Sequence, residues 1–327
     1  NAEQLYQVGY NIVRPLRIIH EGGQQMVIYP VVHWPVMFDL MRAVEVGKAE
    51  ESLSDILVSA EKRECEHLLD IYQSTFIQST AEEHAYAPIH QLFWHRLTGG
   101  RYKSFYEGKF IQYPQDTYAS ADDISFNDLL SLRWIINGEP QQKTLGELVE
   151  RAKIVLNPVQ DALTVIGHGD AHFGNVFLEN QSRFLYFDPA FAGRHSPLLD
   201  IIKPLFHNVF ASWMYFPHNI AQELLLTISR HRMTIAVEEN FTLTPIRQAI
   251  LQTKVEQLIR PLIDNLRVQN MLPIHWKEMI QLALMCCSLL TVNLLDAERM
   301  PPSISWLGLL LTVQIGNKGI QPWGYVL

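Results

Sequence analysis

The chain has 327 residues, of which 48% are hydrophobic and 18% are charged, so it can bury a large core and is not intrinsically disordered. It carries 26 Lys and Arg residues against 34 Asp and Glu residues, and the formal net charge of −8 argues against a nucleic-acid partner. The odd number of cysteines, Cys65, Cys286 and Cys287, indicates no disulfide framework, and we therefore expect a reducing, cytoplasmic location.

The predicted elements begin with a β-hairpin. Two β-rich runs at residues 13–19 and 26–32 flank a polar link that contains Gly22 and Gly23, a pattern typical of a hairpin turn. From about residue 36 onward, hydrophobic residues recur every three or four positions, which predicts helices. Residues 98–125 fit neither period and predict an irregular surface insertion.

A helix and a second hairpin follow in the middle of the chain. Thr144, with Glu147 three residues later, forms a capping-box pattern and predicts a helix N-terminus. Residues 165–178 predict an irregular loop, rich in hydrogen-bonding side chains, that leads into a hairpin with a polar turn at residues 179–182. The second strand of that hairpin ends next to Asp188.

Residues from about 197 to the C-terminus predict helices that are separated by prolines. The two most apolar stretches, residues 280–295 and 304–315, are shorter than the ~20 residues that a membrane-spanning helix needs, so we predict buried helices there. Residues 1–7 are polar and show no signal-peptide pattern. The sequence therefore predicts no membrane partner.

The segment around residues 168–188 carries the most chemical information. Residues 168–175 have the sequence H-G-D-A-H-F-G-N, and the predicted hairpin brings Asp188 back toward this loop. Three oxygen-bearing side chains are thus expected to converge, those of Asp170, Asn175 and Asp188. One carboxylate can accept the proton of a hydroxyl group while an amide oxygen and a second carboxylate hold Mg²⁺, so this set is typical of phosphoryl transfer.

The spacing of Asp170 and Asn175 also matches the H-R-D-x-x-x-x-N catalytic loop of protein kinases, and Asp188 stands where the aspartate of D-F-G would be. Together with the F-D-P-A-F-A-G and P-L-L-D segments that follow, the chain resembles the aminoglycoside phosphotransferase and choline kinase family of small-molecule kinases. The resemblance is close over residues 165–204 and loose elsewhere. It implies a protein-kinase-like α+β fold, represented mainly by the helical C-terminal lobe with a remnant of the N-terminal β lobe.

The resemblance also implies roles for individual residues. On this basis Asp170 is the catalytic base, Asn175 and Asp188 are metal ligands, and Asp200 braces the catalytic loop through hydrogen bonds to its backbone. Two histidines are expected to support the loop, namely His168 as a buried brace and His172 in a structural or substrate-contacting role. Arg194 and His195 could touch phosphate, but we expect them to be solvated or to pair locally.

The implied cosubstrate is ATP with Mg²⁺, and a preference for GTP stays open. The family's small lobe supplies a Gly-rich loop and a strand lysine, and neither is recognisable before Lys48. Residues 1–34 resemble the end of that lobe and its hinge, and residues 35–327 the large lobe, so we expect most of the small lobe to lie outside this chain. The hinge residues expected to meet the adenine edge are Tyr29, Val31 and His33.

The function expected from the resemblance is ATP-dependent phosphorylation of a hydroxyl group on a small molecule, such as an antibiotic, a sugar or an amino alcohol. Two alternatives stay open. One is a pseudokinase or binding module without phosphotransfer. The other is a metal-dependent hydrolase built on His168, Asp170 and His172, because this run places three possible ligands within five residues. The sequence indicates neither the acceptor nor the oligomeric state.

Overall fold

The computed structural model describes residues 1–23, 25–114 and 123–327. About 52% of the chain is helical and the strands form only small sheets, so the architecture is α+β. The contacts divide the chain into two compact units, each assembled from three segments. Unit 1 comprises Asn1–Ile89, Val159–Val209 and Thr244–Leu272, and unit 2 comprises His90–Pro158, Phe210–Leu243 and Pro273–Leu327.

Helices occur throughout the described chain. The α-helices are α1 Ala2–Gln7, α2 Met37–Glu45, α3 Ser52–Thr75, α4 Ala81–Ala85, α5 Trp94–Thr98, α6 Gly100–Tyr106, α7 Phe126–Ser131, α8 Leu145–Val155, α9 Pro197–Asp200, α10 Ile202–Leu205, α11 Ser212–Tyr215, α12 Pro217–Glu223, α13 Pro245–Lys254, α14 Arg260–Val268, α15 Trp276–Leu290 and α16 Pro302–Lys318. Short 3-10 turns occupy Pro88–Leu92, Phe173–Asn175 and Gln321–Trp323, and π-helical turns occupy Phe206–Phe210 and Val255–Ile259.

The strands are short and are spread over both units. They are β1 Arg17–Ile19, β2 Met26–Ile28, β3 Ile77–Ser79, β4 Phe110–Ile111, β5 Ile124–Ser125, β6 Arg133–Ile136, β7 Glu139–Pro140, β8 Ala162–Gly167, β9 Val176–Glu179, β10 Arg183–Tyr186, β11 Gly193–His195, β12 Leu226–His231 and β13 Thr234–Glu239.

Unit 1 contains both hairpins that the sequence predicts. Strands β1 and β2 pair antiparallel with Arg17 opposite Ile28, although Gln24 of the predicted turn lies outside the described residues. Strands β9 and β10 pair antiparallel, and Asn180 and Gln181 between them adopt positive φ angles, as a tight hairpin turn requires. A third sheet places β8 between β3 and β11. Strand β8 is almost entirely buried and delivers the chain into the 168–175 loop.

Helix α3, with 24 residues, is the longest helix in unit 1 and packs against α13, β8 and β10. Its buried side is unusual because it includes two acidic side chains, those of Glu61 and Glu64, next to apolar residues. Glu61 forms a buried ion pair with Lys254 at the end of α13. The core behind the loop is therefore partly ionic, which is stable only where each charge has a partner.

Unit 2 is built around α15 and α16, which pack against each other and are buried over most of their length. Such all-round apolar helices belong in a protein core. The capping box predicted at Thr144 and Glu147 is confirmed at the start of α8. Within the parts of the chain that the structure describes, no helix combines the length and apolar character that crossing a bilayer requires.

Two sequence predictions for unit 2 were wrong. The region after residue 197 is not wholly helical, because β12 and β13 form a hairpin, and β13 pairs in parallel with β6. Residues 98–125 are not simply irregular, since α6 and a β4–β5 pair are ordered there and bury Tyr106, Ile111 and Ile124. Residues 115–122 of that stretch lie outside the described residues.

Candidate functional site

The candidate site is formed by the loop that follows β8. Two glycines let this loop approach its neighbours closely. A Cβ atom on Gly167 would lie 2.6 Å from Cγ of Asp200 and 2.6 Å from Nε2 of His195. Gly169 has a φ of +81°, and a Cβ there would overlap the carbonyl oxygen of Phe191. The glycine of the H-G-D motif is therefore required by both backbone conformation and space.

Asp200 holds the loop from behind. Its carboxylate is 3% exposed and accepts hydrogen bonds from the backbone N–H of Gly169 at 2.7 Å, from Nε2 of His195 at 2.8 Å and from the hydroxyl of Tyr72. Burial alone would raise the pKa of Asp200, but the charge of His195 and these hydrogen bonds outweigh burial, so the pKa lies below its ordinary value. Asp200 is therefore an anionic anchor for the loop backbone.

Asp170 and Asn175 lie in direct contact at the front of the loop. Nδ2 of Asn175 donates a hydrogen bond to the backbone carbonyl of Asp170, with a length of 2.9 Å. This bond uses the amide nitrogen of Asn175, and the amide oxygen, Oδ1, is the atom of this side chain that is able to ligate a cation. The side chain of Asp170 is 16% exposed, and Oδ1 is buried, so Oδ2 is the oxygen available to a substrate.

Asp188 is tied to the same loop through its neighbour Phe187. The N–H of Phe187 donates to the carbonyl oxygen of Asn175 at 3.0 Å, and Nε2 of His168 bonds the carbonyl oxygen of Phe187 at 3.1 Å. The negative charges of Asp170 and Asp188 both act on the imidazoles of His168 and His172. Asp188 is exposed and has a φ of +54°, an uncommon conformation for a residue with a side chain.

The two loop histidines differ in how their ring nitrogens are used. His168 is fully buried; its Nε2 bonds to Phe187, and its Nδ1 lies 3.4 Å from the N–H of Asp170. Nδ1 of His172 accepts a hydrogen bond from the backbone N–H of Gly174. Nε2 of the same ring lies 3.9 Å from Oδ1 of Asp170. Burial lowers the pKa of His172 to about 4, so its imidazole is neutral near pH 7.

The oxygen set of Asn175 and Asp188 fits a magnesium ion better than a zinc ion. Within the described ranges, no group of three or more His, Cys, Asp and Glu side chains is arranged to hold a metal. Mg²⁺ needs only one or two protein oxygens, since it keeps water and takes oxygens from nucleotide phosphates. Both ring nitrogens of His168 are already engaged with backbone, so this residue is not available as a zinc ligand.

The predicted hinge residues Tyr29, Val31 and His33 are all exposed, and they follow β2 directly. The chain just beyond them is attached to the hairpin that precedes Asp188. The N–H of Leu178 donates to the carbonyl oxygen of Pro35 at 2.9 Å, and Val36 forms an antiparallel bridge with Phe177. This attachment places the hinge segment and the 168–188 loop in the same unit.

Several residues of the site were not identified from the sequence. His195, expected to be solvated or to pair locally, pairs locally: it is fully buried and bonds to Asp200, five residues later in the chain. Tyr72 comes from α3, 128 residues from its partner Asp200. Asn208 accepts the N–H of Phe173 at 2.8 Å, and Lys203 lies 3.7 Å from Asp170. Lys203 stands among apolar residues just after P-L-L-D, and this position was the sequence signal that could have indicated a buried lysine.

A buried ion pair supports the segment that carries Asn208. Arg247 is fully buried and its Nε lies 2.5 Å from Oε1 of Glu45. Its Nη1 donates to the carbonyl oxygen of Asn208 at 3.2 Å. This contact satisfies backbone acceptors in the π-helical turn Phe206–Phe210 and links α13 to the loop through Asn208 and Phe173.

Comparison of the chain with protein-family models, with curated proteins and with solved structures finds no match.

Proposed function

We propose that this chain belongs to an ATP-dependent phosphotransferase that phosphorylates a hydroxyl group of a small molecule, with a protein-kinase-like arrangement of its catalytic loop. The observation that carries the proposal is the contact between Asn175 and Asp170, together with the backbone bond from Phe187 to Asn175 that brings Asp188 to the same loop. A proton acceptor and two hard oxygen ligands are the parts that phosphoryl transfer needs.

In this mechanism Asp170 accepts the hydroxyl proton of the acceptor through Oδ2. The acceptor oxygen is then positioned to attack the γ-phosphorus, and the bond to the leaving β-phosphate oxygen breaks. Asn175 and Asp188 would hold Mg²⁺, which neutralises charge on the phosphates when it is bound. Asp200 keeps the loop backbone in place through Gly169, so that the proton acceptor and the metal ligands keep their relative positions.

The exposed hinge residues Tyr29, Val31 and His33 are the proposed contacts for the adenine edge, through backbone N–H and C=O groups. We keep as predictions that residues 1–34 form the end of a small lobe and that residues 35–327 form the large lobe. The three cysteines are buried free thiols, which supports a reducing compartment such as the cytoplasm.

The test is a coupled assay of ADP release by the full-length protein with Mg²⁺ and ATP, run against a panel of aminoglycosides, sugars and amino alcohols. An acceptor that raises ADP release at least tenfold over the ATP-only background, with a phosphorylated product detected by mass spectrometry, is the expected result. Nucleotide binding without turnover on any acceptor would instead indicate a pseudokinase. A protein purified with stoichiometric zinc would favour the hydrolase alternative. The hydrogen bonds already made by both ring nitrogens of His168 argue against that alternative.

A further inference from the structure

Lys203, on helix α10, is a buried lysine next to the proposed catalytic base. Its side chain is 4% exposed, and its Nζ lies 3.7 Å from Oδ1 of Asp170 and 2.6 Å from Nε2 of His207. Removing an ammonium group from water is costly unless a negative charge and hydrogen-bond acceptors replace the lost solvent. Asp170 supplies the charge and His207 supplies an acceptor, so the position of Lys203 is coupled to that of Asp170.

Among the described residues, Lys203 is the lysine or arginine that lies within 4 Å of Oδ1 of Asp170. That oxygen is buried and has no hydrogen-bond partner among the described residues, and the groups within 4 Å of it include Lys203 and His172. His172 is neutral near pH 7, and Nε2 of His207 accepts a hydrogen bond from Nζ of Lys203. Asp188 and Asp200, whose charges also act on His168 of this loop, are negative.

We propose that Lys203 is a positioning residue for Asp170: its ammonium group holds Oδ1 inward and thereby directs Oδ2 toward the acceptor hydroxyl. This inference rests on the proposed function. Attraction between the two groups at this distance restricts rotation of the carboxylate, and a correctly oriented proton acceptor is what the reaction requires. His207 holds the ammonium group from the other side, through a hydrogen bond one helical turn along the chain.

The test compares steady-state kinetics of Lys203→Met, Lys203→Arg, Asp170→Asn and the double variant Asp170→Asn/Lys203→Met. Lys203→Met is expected to lower kcat by about 10- to 100-fold while KM for ATP and for the acceptor stays within about twofold. Lys203→Arg keeps the charge and is expected to recover most of kcat. Because Lys203 acts through Asp170, the double variant is expected to be no slower than Asp170→Asn alone.

Lys254→Met is the matched control, because Lys254 is also a buried lysine of unit 1 but pairs with Glu61 instead of Asp170. It is expected to lower the melting temperature and to leave kcat per folded molecule unchanged. If Lys203→Met does not fold, Lys203→Gln, which keeps a hydrogen-bond donor, replaces it in the cycle.

Two results would contradict the role of Lys203 without contradicting the proposed function. The first is an active wild-type protein whose kcat is unaffected by Lys203→Met. The second is a Lys203→Met effect on kcat that persists in full in the Asp170→Asn background. A wild-type protein that binds ATP and transfers no phosphate to any acceptor would overturn the proposed function and, with it, this inference.

Discussion

The carboxylate of Asp200 accepts a hydrogen bond from the backbone N–H of Gly169, 31 residues earlier in the chain. The same carboxylate is paired with His195, so it connects two strands, β8 and β11, at the point where the loop leaves the sheet. A single buried anion therefore fixes both the backbone of the loop and the strand beside it.

We expect Asp200→Asn to destabilise the protein by about 3–5 kcal/mol, because it removes the buried carboxylate that accepts hydrogen bonds from Gly169, His195 and Tyr72. Urea unfolding measures this free energy. Asp264→Asn is the control, since Asp264 forms an exposed ion pair with Arg267 and its loss should cost less than about 1 kcal/mol. Equal effects of the two substitutions would contradict the anchoring role of Asp200.

Asp170→Asn is expected to lower kcat by about 10²–10⁴, the usual effect of losing a general base, with little change in melting temperature. The amide has the shape of the carboxylate but cannot take up the proton. Initial rates and a thermal unfolding curve on the same preparation give the two quantities. A variant that turns over as fast as the wild-type protein would refute the assignment.

Asp188→Ala is expected to abolish the Mg²⁺ dependence of nucleotide binding, because it removes the charged member of the two proposed oxygen ligands. Calorimetric titration of ATP with and without Mg²⁺ measures this dependence. Glu223→Ala, which changes an acidic residue at the end of α12 in unit 2, serves as a charge-matched control. Unchanged Mg·ATP affinity in Asp188→Ala would exclude Asp188 as a ligand.

Glu64 predicts a pH dependence of stability. Burial raises the pKa of Glu64 from 4.5 to about 8, even though Tyr186 donates a hydrogen bond that opposes this rise. The folded protein thus binds this proton more tightly than the unfolded chain does. The stabilisation is fully present below pH 4.5 and is lost as the pH rises to about 8, with a slope of at most ~1.4 kcal/mol per pH unit.

Glu64→Gln removes the titrating group and keeps an oxygen that can accept the hydrogen bond from Tyr186. Its free energy of unfolding, measured by urea denaturation between pH 5 and 8, should therefore fall less with pH than that of the wild-type protein. Parallel curves for the two proteins would show that Glu64 does not titrate in this range.

Gly169→Ala is expected to destabilise the protein by several kcal/mol, because alanine combines an unfavourable positive φ with overlap against the carbonyl oxygen of Phe191. Gly47→Ala separates the two contributions. Gly47 has a φ of +67° with nothing near its missing Cβ, so the cost there should be about 1 kcal/mol. Thermal and urea unfolding would detect the difference, and equal costs would rule out the steric contribution.

Local patterns predicted the parts of the fold that depend on neighbours in sequence. The hairpins at β1–β2 and β9–β10 and the capping box at Thr144 all arise from residues within about twenty positions of one another. The parallel pairing of β13 with β6 joins residues about 100 positions apart, and no local pattern encodes it. The alternation in residues 226–239 was the signal for that hairpin.

The same division applies to the site. The spacing within residues 168–188 predicted that Asp170, Asn175 and Asp188 lie near one another, because all three belong to one loop and hairpin. Tyr72 and Asn208 reach the loop only through tertiary packing, so their hydrogen bonds to Asp200 and Phe173 required coordinates. The sequence does not show whether a polar residue in an apolar helix is buried or exposed, because this depends on the hydrogen-bond partner that the tertiary structure brings to it.

The left-handed backbone at Asp188 has a consequence for evolution as well as for chemistry. Glycine would adopt a φ of +54° without the steric penalty that a side chain incurs, so thermodynamic stability alone favours glycine at this position. Aspartate tolerates this conformation better than most residues with a side chain, but it still costs stability relative to glycine. If the proposed function holds, we expect divergent homologues that transfer phosphate to carry aspartate at this position, and activity assays of homologues with glycine there would test this.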